Sequence, residues 1–257
     1  MDESRVDAYL ARIGAARPES PDAAGLRDLQ LRHLRTVPFE NLSVHLREDI
    51  TLAEDPLFDK IVTRRRGGFC YELNGLFGSL LSALGYRVTL LAARSVTPDG
   101  LGPPFDHLAL RVDLDEPWLV DVGFGRFSQL PLRLDVRTGQ AGPGGTFQLV
   151  DTAAGDLDVS RDGEPEYRLE RRPRELPDFA STCWFHRTSP DSHFTRSLVC
   201  SRLTDSGRIT LSGRTLVETV DGQRTERGLE SDEAVLAAYR DEFGIVLDRV
   251  PTATPPK

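Results

Sequence analysis

Apolar residues recur at every third or fourth position in the first part of the chain, which is the spacing of helices that bury one face. One such stripe ends near Gly14, and a second covers residues 24–37. Residues 56–63 predict a short helical segment. A third stripe begins beside Cys70 and stops at Gly85, which suits a left-handed helix end. Its apolar positions are Leu73, Leu76, Phe77, Leu80, Leu81 and Leu84.

After Gly85 the pattern changes to short alternating runs separated by Gly, Pro and Asp. This spacing favours an antiparallel sheet or a small barrel. The glycine-rich residues 140–145 predict a turn, and a last helix runs from Ser231 to a stop at Gly244. The predicted strands are residues 86–93, 107–113, 118–122, 146–150, 156–160, 166–171, 197–203, 207–212 and 214–220.

The stretch from His107 to Gly123 predicts a hairpin from its apolar pattern alone. If Asp113 pairs with Pro117, the apolar residues 108, 110 and 112 lie opposite 122, 120 and 118, and all share one face. A slip of one residue would break that face. On the other face, His107 and Asp121 occupy diagonal positions, about 7–8 Å apart at the backbone. The pattern therefore brings an imidazole and a carboxylate together.

The composition limits the number of domains, the classes of partner and the expected location. The chain has 257 residues, 39% of them hydrophobic, which is enough for a sizeable core in one or two domains. Its net charge of −8 argues against nucleic acid or an anionic membrane as a partner. The N-terminus lacks the apolar segment of a signal peptide, and no apolar run is long enough to cross a bilayer. We therefore expect a cytoplasmic protein.

The cysteines and histidines predict neither a disulfide framework nor a metal site. Cys70, Cys183 and Cys200 are an odd number at wide spacing. His45 is expected in a loop, and His186 and His193 lie in a Ser/Thr/Pro-rich region without metal-ligand spacing. We expect Cys183 and Cys200 to be packing residues. Surface or hydrogen-bonded roles are expected for the histidines other than His107.

Cys70 has the surroundings of a nucleophile. It stands at the start of a predicted helix, where unpaired N–H groups and the helix dipole stabilise a thiolate. Gly67 and Gly68 precede it and would leave room for an acyl group or adopt backbone angles that other residues avoid. A buried packing cysteine at a tight turn is the structural alternative. With His107 and Asp121, the cysteine would form a thiol–imidazole–carboxylate site that rests as a thiolate–imidazolium pair.

Several segments resemble the arylamine N-acetyltransferase family. Residues 66–77, RGGFCYELNGLF, are similar to its cysteine motif, Arg-Gly-Gly-aromatic-Cys-aromatic-Glu-x-Asn-Gly-x-aromatic. Residues 105–110 resemble its histidine motif, and residues 118–126 resemble its aspartate motif. Residues 37–45 and 190–196 resemble further family segments. The matches occur in the family's order.

The resemblance implies an α+β fold with a cysteine-protease-like Cys-His-Asp arrangement. An N-terminal helical bundle (residues 1–85), a central antiparallel β-barrel (86–200) and a C-terminal α/β lid (201–257) are expected. Its substrates would be acetyl-CoA and a small arylamine, hydrazine or N-hydroxyarylamine, with no permanently bound cofactor.

The resemblance also assigns roles beside the three reacting groups. The catalytic residues are expected to be Cys70, His107 and Asp121. The family's coenzyme A loop corresponds to Gly123, Phe124 and Gly125, although an isolated Gly-x-Gly is weak evidence by itself. Phe39 and Phe124 would line the acyl and acceptor pocket, or else be ordinary core aromatics. Glu40 and Arg66 would form an ion pair that supports the cysteine loop.

Three other functions use related chemistry. An amide synthase of the same superfamily would close a macrolactam on a carrier-bound chain with the same three residues. A cysteine hydrolase or transglutaminase-like enzyme shares the order Cys, His, Asp. A non-catalytic binding protein could retain the fold, although the intact Cys70, His107 and Asp121 argue against it.

Overall fold

The computed structural model describes residues 1–253, so residues 254–257 of the predicted lid lie outside the described residues. A π-helical turn covers Asp59–Thr63, and a 3-10 turn covers Leu176–Phe179. The α-helices of the described part are α1 (Glu3–Ile13), α2 (Ala23–Thr36), α3 (Leu42–Leu46), α4 (Glu54–Phe58), α5 (Cys70–Ala83), α6 (Ala180–Thr188), α7 (His193–Arg196) and α8 (Asp232–Phe243).

The strands of the described part form two antiparallel sheets. They are β1 (Phe39–Glu40), β2 (Arg87–Thr97), β3 (Gly100–Leu101), β4 (His107–Asp113), β5 (Pro117–Val120), β6 (Leu132–Arg133), β7 (Gln140–Gly142), β8 (Gly145–Asp151), β9 (Leu157–Arg161), β10 (Glu164–Arg174), β11 (Val199–Leu203), β12 (Gly207–Ser212), β13 (Thr215–Val220) and β14 (Gln223–Gly228). The fold is therefore α+β, as predicted.

The larger sheet curls into a nearly closed barrel. Its strand order is β6-β5-β4-β2-β10-β9-β8-β7, with β3 added beside β2. The two outer strands are joined through the side chain of Gln140 in β7, which accepts from the Arg133 amide at 2.7 Å and donates to the Arg133 carbonyl at 2.9 Å. One side chain thus continues the hydrogen bonding between the edges of the sheet, which otherwise expose unpaired backbone groups.

The predicted β4–β5 hairpin has the expected register. Asp113 pairs with Pro117, Val112 with Trp118 and Leu110 with Val120. The shared apolar face packs on α5. The other face of β4, which carries Ala109, points into the barrel. A slipped register would forfeit roughly 1.5–3 kcal/mol for each large apolar side chain that it exposed. Burial on both faces therefore holds His107, at the start of β4, in one position.

The smaller sheet has the order β1-β11-β12-β13-β14 and packs on α8. The predicted domain boundary near residue 200 falls inside β11, whose neighbours are β1, from the N-terminal part, and β12. Strand β14 was not predicted because its residues, 223–228, are all exposed and show no apolar alternation. The short strands β1, β3, β6 and β7 also carry too few residues for a periodic signal.

The helical predictions hold in the N-terminal part and at the C-terminal helix. Gly14, Gly85 and Gly244 have positive φ values of 65°, 90° and 67° at the ends of α1, α5 and α8. Helices α6 and α7 lie where the sequence predicted neither helix nor strand, and they pack on the side of α5 next to Cys70. Within residues 1–253, the helices are too short or too polar to cross a membrane.

Candidate active site

Cys70 is the first residue of α5 and is almost fully buried. Phe69 is extended and cannot cap the helix with its side chain, but its amide donates to Glu72 Oε2 at 3.2 Å. This bond fixes the entry into the first turn. The thiol therefore lies where the N-terminal amides of a helix point, as the sequence predicted.

The Cys70 thiol lies against the backbone on both sides of His107. Its Sγ is 3.9 Å from the carbonyl oxygen of Asp106, and the Leu108 amide is near enough to lower the pKa of the thiol. Burial raises the pKa of the thiol well above its ordinary value, the Leu108 amide lowers it, and the carboxylates of Asp106 and Asp121 raise it further. A raised thiol pKa opposes the predicted resting thiolate. The charge on the His107 imidazole therefore decides whether Cys70 becomes a thiolate.

His107 and Asp121 form the predicted pair. The imidazole Nε2 lies 2.7 Å from Asp121 Oδ2, and both side chains are buried. The carboxylate therefore holds Nε2, which leaves Nδ1 as the ring nitrogen that does not bond to Asp121. The rings of Phe124 and Tyr167 pack on the imidazole at centroid distances of 5.0 and 5.4 Å. These contacts restrict the orientation of the base.

Asn74 connects the nucleophile helix to the carboxylate. Its Nδ2 donates to Asp121 Oδ1 at 2.9 Å and to the Leu108 carbonyl at 2.6 Å, while its Oδ1 accepts from the Val122 amide at 2.9 Å. This role of Asn74 was not predicted from the sequence. The available signal was its position four residues after Cys70, which places both on one face of a helix.

The loop of Gly123, Phe124 and Gly125 borders this cluster. The Gly123 amide donates to Asp121 Oδ1 at 2.9 Å. A Cβ at Gly123 would lie 2.6 Å from the Cys70 Cα, so only glycine allows the loop to approach the nucleophile this closely. Gly125, with φ of 82°, lies beside the ring of Phe39. Phe39 and Phe124 are both half-buried; the Phe39 ring lies beside the loop at Gly125, and Phe124 is part of the loop.

Gly67 and Gly68 are required for a different reason than the sequence suggested. Neither has a positive φ. A Cβ at Gly67 would lie 1.9 Å from the Pro38 carbonyl oxygen, and one at Gly68 would meet the Glu72 side chain at 2.7 Å. These glycines let the cysteine loop pack against the backbone of Pro38 and the side chain of Glu72.

Glu40 and Arg66 lie together in a buried charged cluster. Arg66 Nε donates to Glu40 Oε1 at 3.0 Å. Lys60, which the sequence analysis did not single out, donates to Glu72 at 2.6 Å and lies 4.0 Å from Glu40. Burial raises the pKa of both carboxyl groups. The charges of Arg66 and Lys60 outweigh the effect of burial on Glu40, so the pKa of Glu40 is lowered. At Glu72 the effect of burial outweighs the charge of Lys60, so the pKa of Glu72 is raised.

The other two cysteines and three of the other histidines have surroundings that differ from those of Cys70 and His107. Cys183 and Cys200 are buried, and burial raises the pKa of Cys183 to about 12. His45 lies in α3, and His186 and His193 lie in α6 and α7 instead of in irregular segments. His186 is buried and hydrogen-bonded, while His193 is exposed.

The chain matches the N-acetyltransferase family over residues 22–251. It is 36% identical to an arylamine N-acetyltransferase of Mycolicibacterium smegmatis, over 93% of this chain and 91% of that protein. The solved arylamine N-acetyltransferase of Salmonella typhimurium superposes with a TM-score of 0.89 at 30% identity, over 99% of this chain and 96% of that one. The Mycobacterium marinum enzyme, solved in complex with CoA, superposes with a TM-score of 0.86 at 36% identity, over 93% and 92%.

Proposed function

The chain belongs to the arylamine N-acetyltransferase family and is an acyltransferase, and from this premise we propose that it carries acetyl groups on Cys70. The donor is acetyl-CoA, and the acceptor is the nitrogen of an arylamine, hydrazine or N-hydroxyarylamine. Cys70, His107 and Asp121 are the catalytic residues in this proposal.

One observation carries the proposal. The Cys70 thiol lies against the backbone that flanks His107, while Asp121 holds the far nitrogen of the imidazole at 2.7 Å. A thiol whose neighbouring base is oriented by a third group is the arrangement of an activated nucleophile. The alternative of a packing cysteine leaves the buried His107–Asp121 pair next to it without an explanation.

The reaction would proceed in two halves. Nδ1 of His107 takes the thiol proton, Sγ attacks the thioester carbonyl, and the departing CoA thiolate receives that proton from the imidazolium. The amine nitrogen then attacks the acetyl-Cys70 carbonyl, and its proton passes through His107 to the returning thiolate. Asp121 keeps the tautomer and stabilises the imidazolium that forms in each half.

The loop of Gly123, Phe124 and Gly125 is our candidate for contact with CoA. Its approach to Cys70 supports this role, as does the CoA complex of the similar M. marinum enzyme. The Phe39 ring lies beside this loop and Phe124 is part of it, so both are our candidates for the pocket that holds the acyl group and a planar aromatic acceptor. Free thiols at all three cysteines agree with the cytoplasmic location that we expect.

Intact-mass spectrometry after mixing with acetyl-CoA alone tests the nucleophile. We expect the mass of one acetyl group to be added at Cys70. Cys183→Ser is the matched control and should still be labelled, whereas Cys70→Ser should not. Label on Cys183 or Cys200, or none on the wild type, would overturn the assignment. Loss of the label to water without an amine would instead indicate a hydrolase.

Steady-state kinetics test the two-step scheme. Since one thiol serves both substrates in turn, double-reciprocal plots at several amine concentrations should be parallel. Intersecting lines would indicate direct transfer in a ternary complex.

A further inference from the structure

The turn before His107 has an unfavourable backbone conformation. Phe105 has φ of 61°, in the left-handed region that a bulky aromatic residue rarely adopts. Such a conformation persists only where its surroundings hold it. Here the Tyr71 hydroxyl donates to the Phe105 carbonyl at 2.7 Å, and Arg174 lies over the Phe105 ring. The turn therefore depends on contacts from outside it.

Asp106, the next residue, connects this turn to the nucleophile. Its backbone carbonyl faces Cys70 Sγ at 3.9 Å and accepts from the Tyr71 hydroxyl at 3.0 Å. Its side chain points the other way, where Oδ2 accepts from the Ser95 amide at 3.1 Å. Its other oxygen, Oδ1, lies 3.0 Å from Nε2 of His186. The position of one carboxylate thus affects the backbone that the thiol contacts.

His186 is itself held on each side. It lies in α6, is 5% exposed, and its Nδ1 is 3.2 Å from the Ser192 hydroxyl. The Tyr71 ring stacks on it at a centroid distance of 6.1 Å, and the Phe194 ring meets it edge-on at 5.2 Å. The imidazole is therefore a fixed support for Asp106. Its neighbours belong to α5 and α7 as well as to α6.

We propose that His186 is a positioning residue for acyl transfer, which acts by holding the Asp106 carboxylate and thereby the turn that presents His107 and the Asp106 carbonyl to Cys70. The proposal rests on the proposed function of Cys70 as the acyl carrier. It assigns α6 and α7 a task beyond packing: they position the base from a segment about 80 residues further along the chain.

The electrostatics of Asp106 agree with this role. Burial raises the pKa of its carboxyl group, but the contacts from His186 and Ser95 outweigh it, and the pKa lies below its ordinary value. The carboxylate is therefore charged at neutral pH and in need of its partners. Without the imidazole, the buried carboxylate would lose the partner that lies 3.0 Å from its Oδ1, and the neighbouring turn would relax.

The test compares two substitutions of the same residue. His186→Phe keeps a ring for Tyr71 and Phe194 but removes the polar Nε2 beside Asp106, whereas His186→Gln can place an amide nitrogen near that position. The measurement is single-turnover acetylation of Cys70 across acetyl-CoA concentrations. We expect His186→Phe to lower the maximal rate about tenfold or more, because small displacements of reacting groups cost this much. The acetyl-CoA concentration for half-maximal rate should change little, and His186→Gln should recover most of the rate.

His193→Phe is the matched control, since His193 lies in the neighbouring helix α7, is exposed, and contacts Ser197 instead of the turn. It should acetylate at the wild-type rate. If His186→Phe does not fold, Asp106→Ala, which removes the carboxylate, should show the same slow acetylation. Wild-type rates in His186→Phe or in Asp106→Ala would overturn the proposal, and so would equal losses in His186→Phe and His186→Gln. Failure of the proposed function would look different, because the wild type itself would take no acetyl group.

Discussion

Asn74 and Asp121 are joined by a buried hydrogen bond of 2.9 Å between the side-chain amide and Oδ1 of the carboxylate. The other oxygen of Asp121 holds His107 at 2.7 Å. Because each oxygen has its own partner, the carboxylate cannot rotate without breaking a bond to the helix of Cys70 or to the base. The amide of Asn74 therefore couples the orientation of the base to the helix of the nucleophile.

Replacing Asn74 should damage both stability and catalysis. Asn74→Ala would leave the Val122 amide and the Leu108 carbonyl without their partner, at about 1–3 kcal/mol for each unsatisfied buried group. We expect a lower midpoint in urea unfolding and a kcat reduced about tenfold or more through misplacement of His107. Ser79→Ala, on the same helix, is the control; Ser79 makes only a 3.5 Å bond to the Gly75 carbonyl. Equal activity of the two variants would contradict the coupling.

Adding one methyl group at Gly123 should separate the loop from the nucleophile. The new Cβ of Gly123→Ala would meet the Cys70 Cα at 2.6 Å and the Asn74 amide at 2.7 Å. Since the backbone of a helix cannot yield, the loop must move, at about 1–3 kcal/mol. We expect acetylation of Cys70 to slow strongly. Gly142→Ala, where a Cβ meets open space, should behave as wild type in the same assay.

The buried Glu40–Arg66 pair should stabilise the fold. Glu40→Gln leaves the Arg66 charge undercompensated, and removal of one member of a buried pair costs roughly 3–5 kcal/mol. Glu48→Gln is the matched control, because Glu48 also contacts Arg66, at 3.2 Å, but its side chain is 37% exposed. Thermal unfolding should show a large loss for Glu40→Gln and a small one for Glu48→Gln. Equal melting of both variants would argue against the buried pair.

The same carboxylate predicts a pH dependence with a definite sign. The folded pKa of Glu40 is lowered from its ordinary value of 4.5. Its contribution is therefore fully present above about pH 4.5 and is lost as the pH falls through the lower, folded pKa. Below pH 4.5, the difference in unfolding free energy between wild type and Glu40→Gln should shrink. A difference that stayed constant on acidification would mean that the charge of Glu40 is not what stabilises the fold.

The rate at which Cys70 is alkylated at different pH values reports whether the resting thiol is ionised. Burial raises the pKa of the thiol, but a proton on His107 would put a cation beside the sulfur, with Asp121 stabilising that cation. We expect the pair to outweigh burial, because each ion is the other's neighbour. Iodoacetamide should then modify Cys70 well below the free-thiol pKa of about 8.5.

Asp121→Asn should lose this low-pH reactivity and still fold, since an amide can hold the imidazole but cannot balance its charge. Rates of alkylation against pH, with the modified residue identified by mass spectrometry, separate the two outcomes. A wild-type profile at or above that of a free thiol would show that the pair is not preformed. His107 would then remove the thiol proton only during attack.

The elements with a strong periodic signal were predictable from the chain itself. Helix α5 shows an apolar repeat that ends at Gly85, and the β4–β5 hairpin has one register that buries both halves of its apolar face. His107 and Asp121 lie only 14 residues apart on that hairpin, so the register alone brings them together. Local period and burial were sufficient there, because a wrong register would expose many apolar side chains at once.

Only the tertiary structure decided the contacts that hold this pair in place. The bond from Asn74 to Asp121 joins residues 47 positions apart, and His186 comes within 3.0 Å of Asp106 from a helix that the sequence did not predict. The bond from Lys60 to Glu72 likewise joins two separate helical segments. Single polar contacts carry no periodicity, and their partners are chosen by how the bundle packs on the barrel. The amino-acid pattern thus determined the hairpin and the helix of the nucleophile, while the packing between them determined which polar groups orient the reacting atoms.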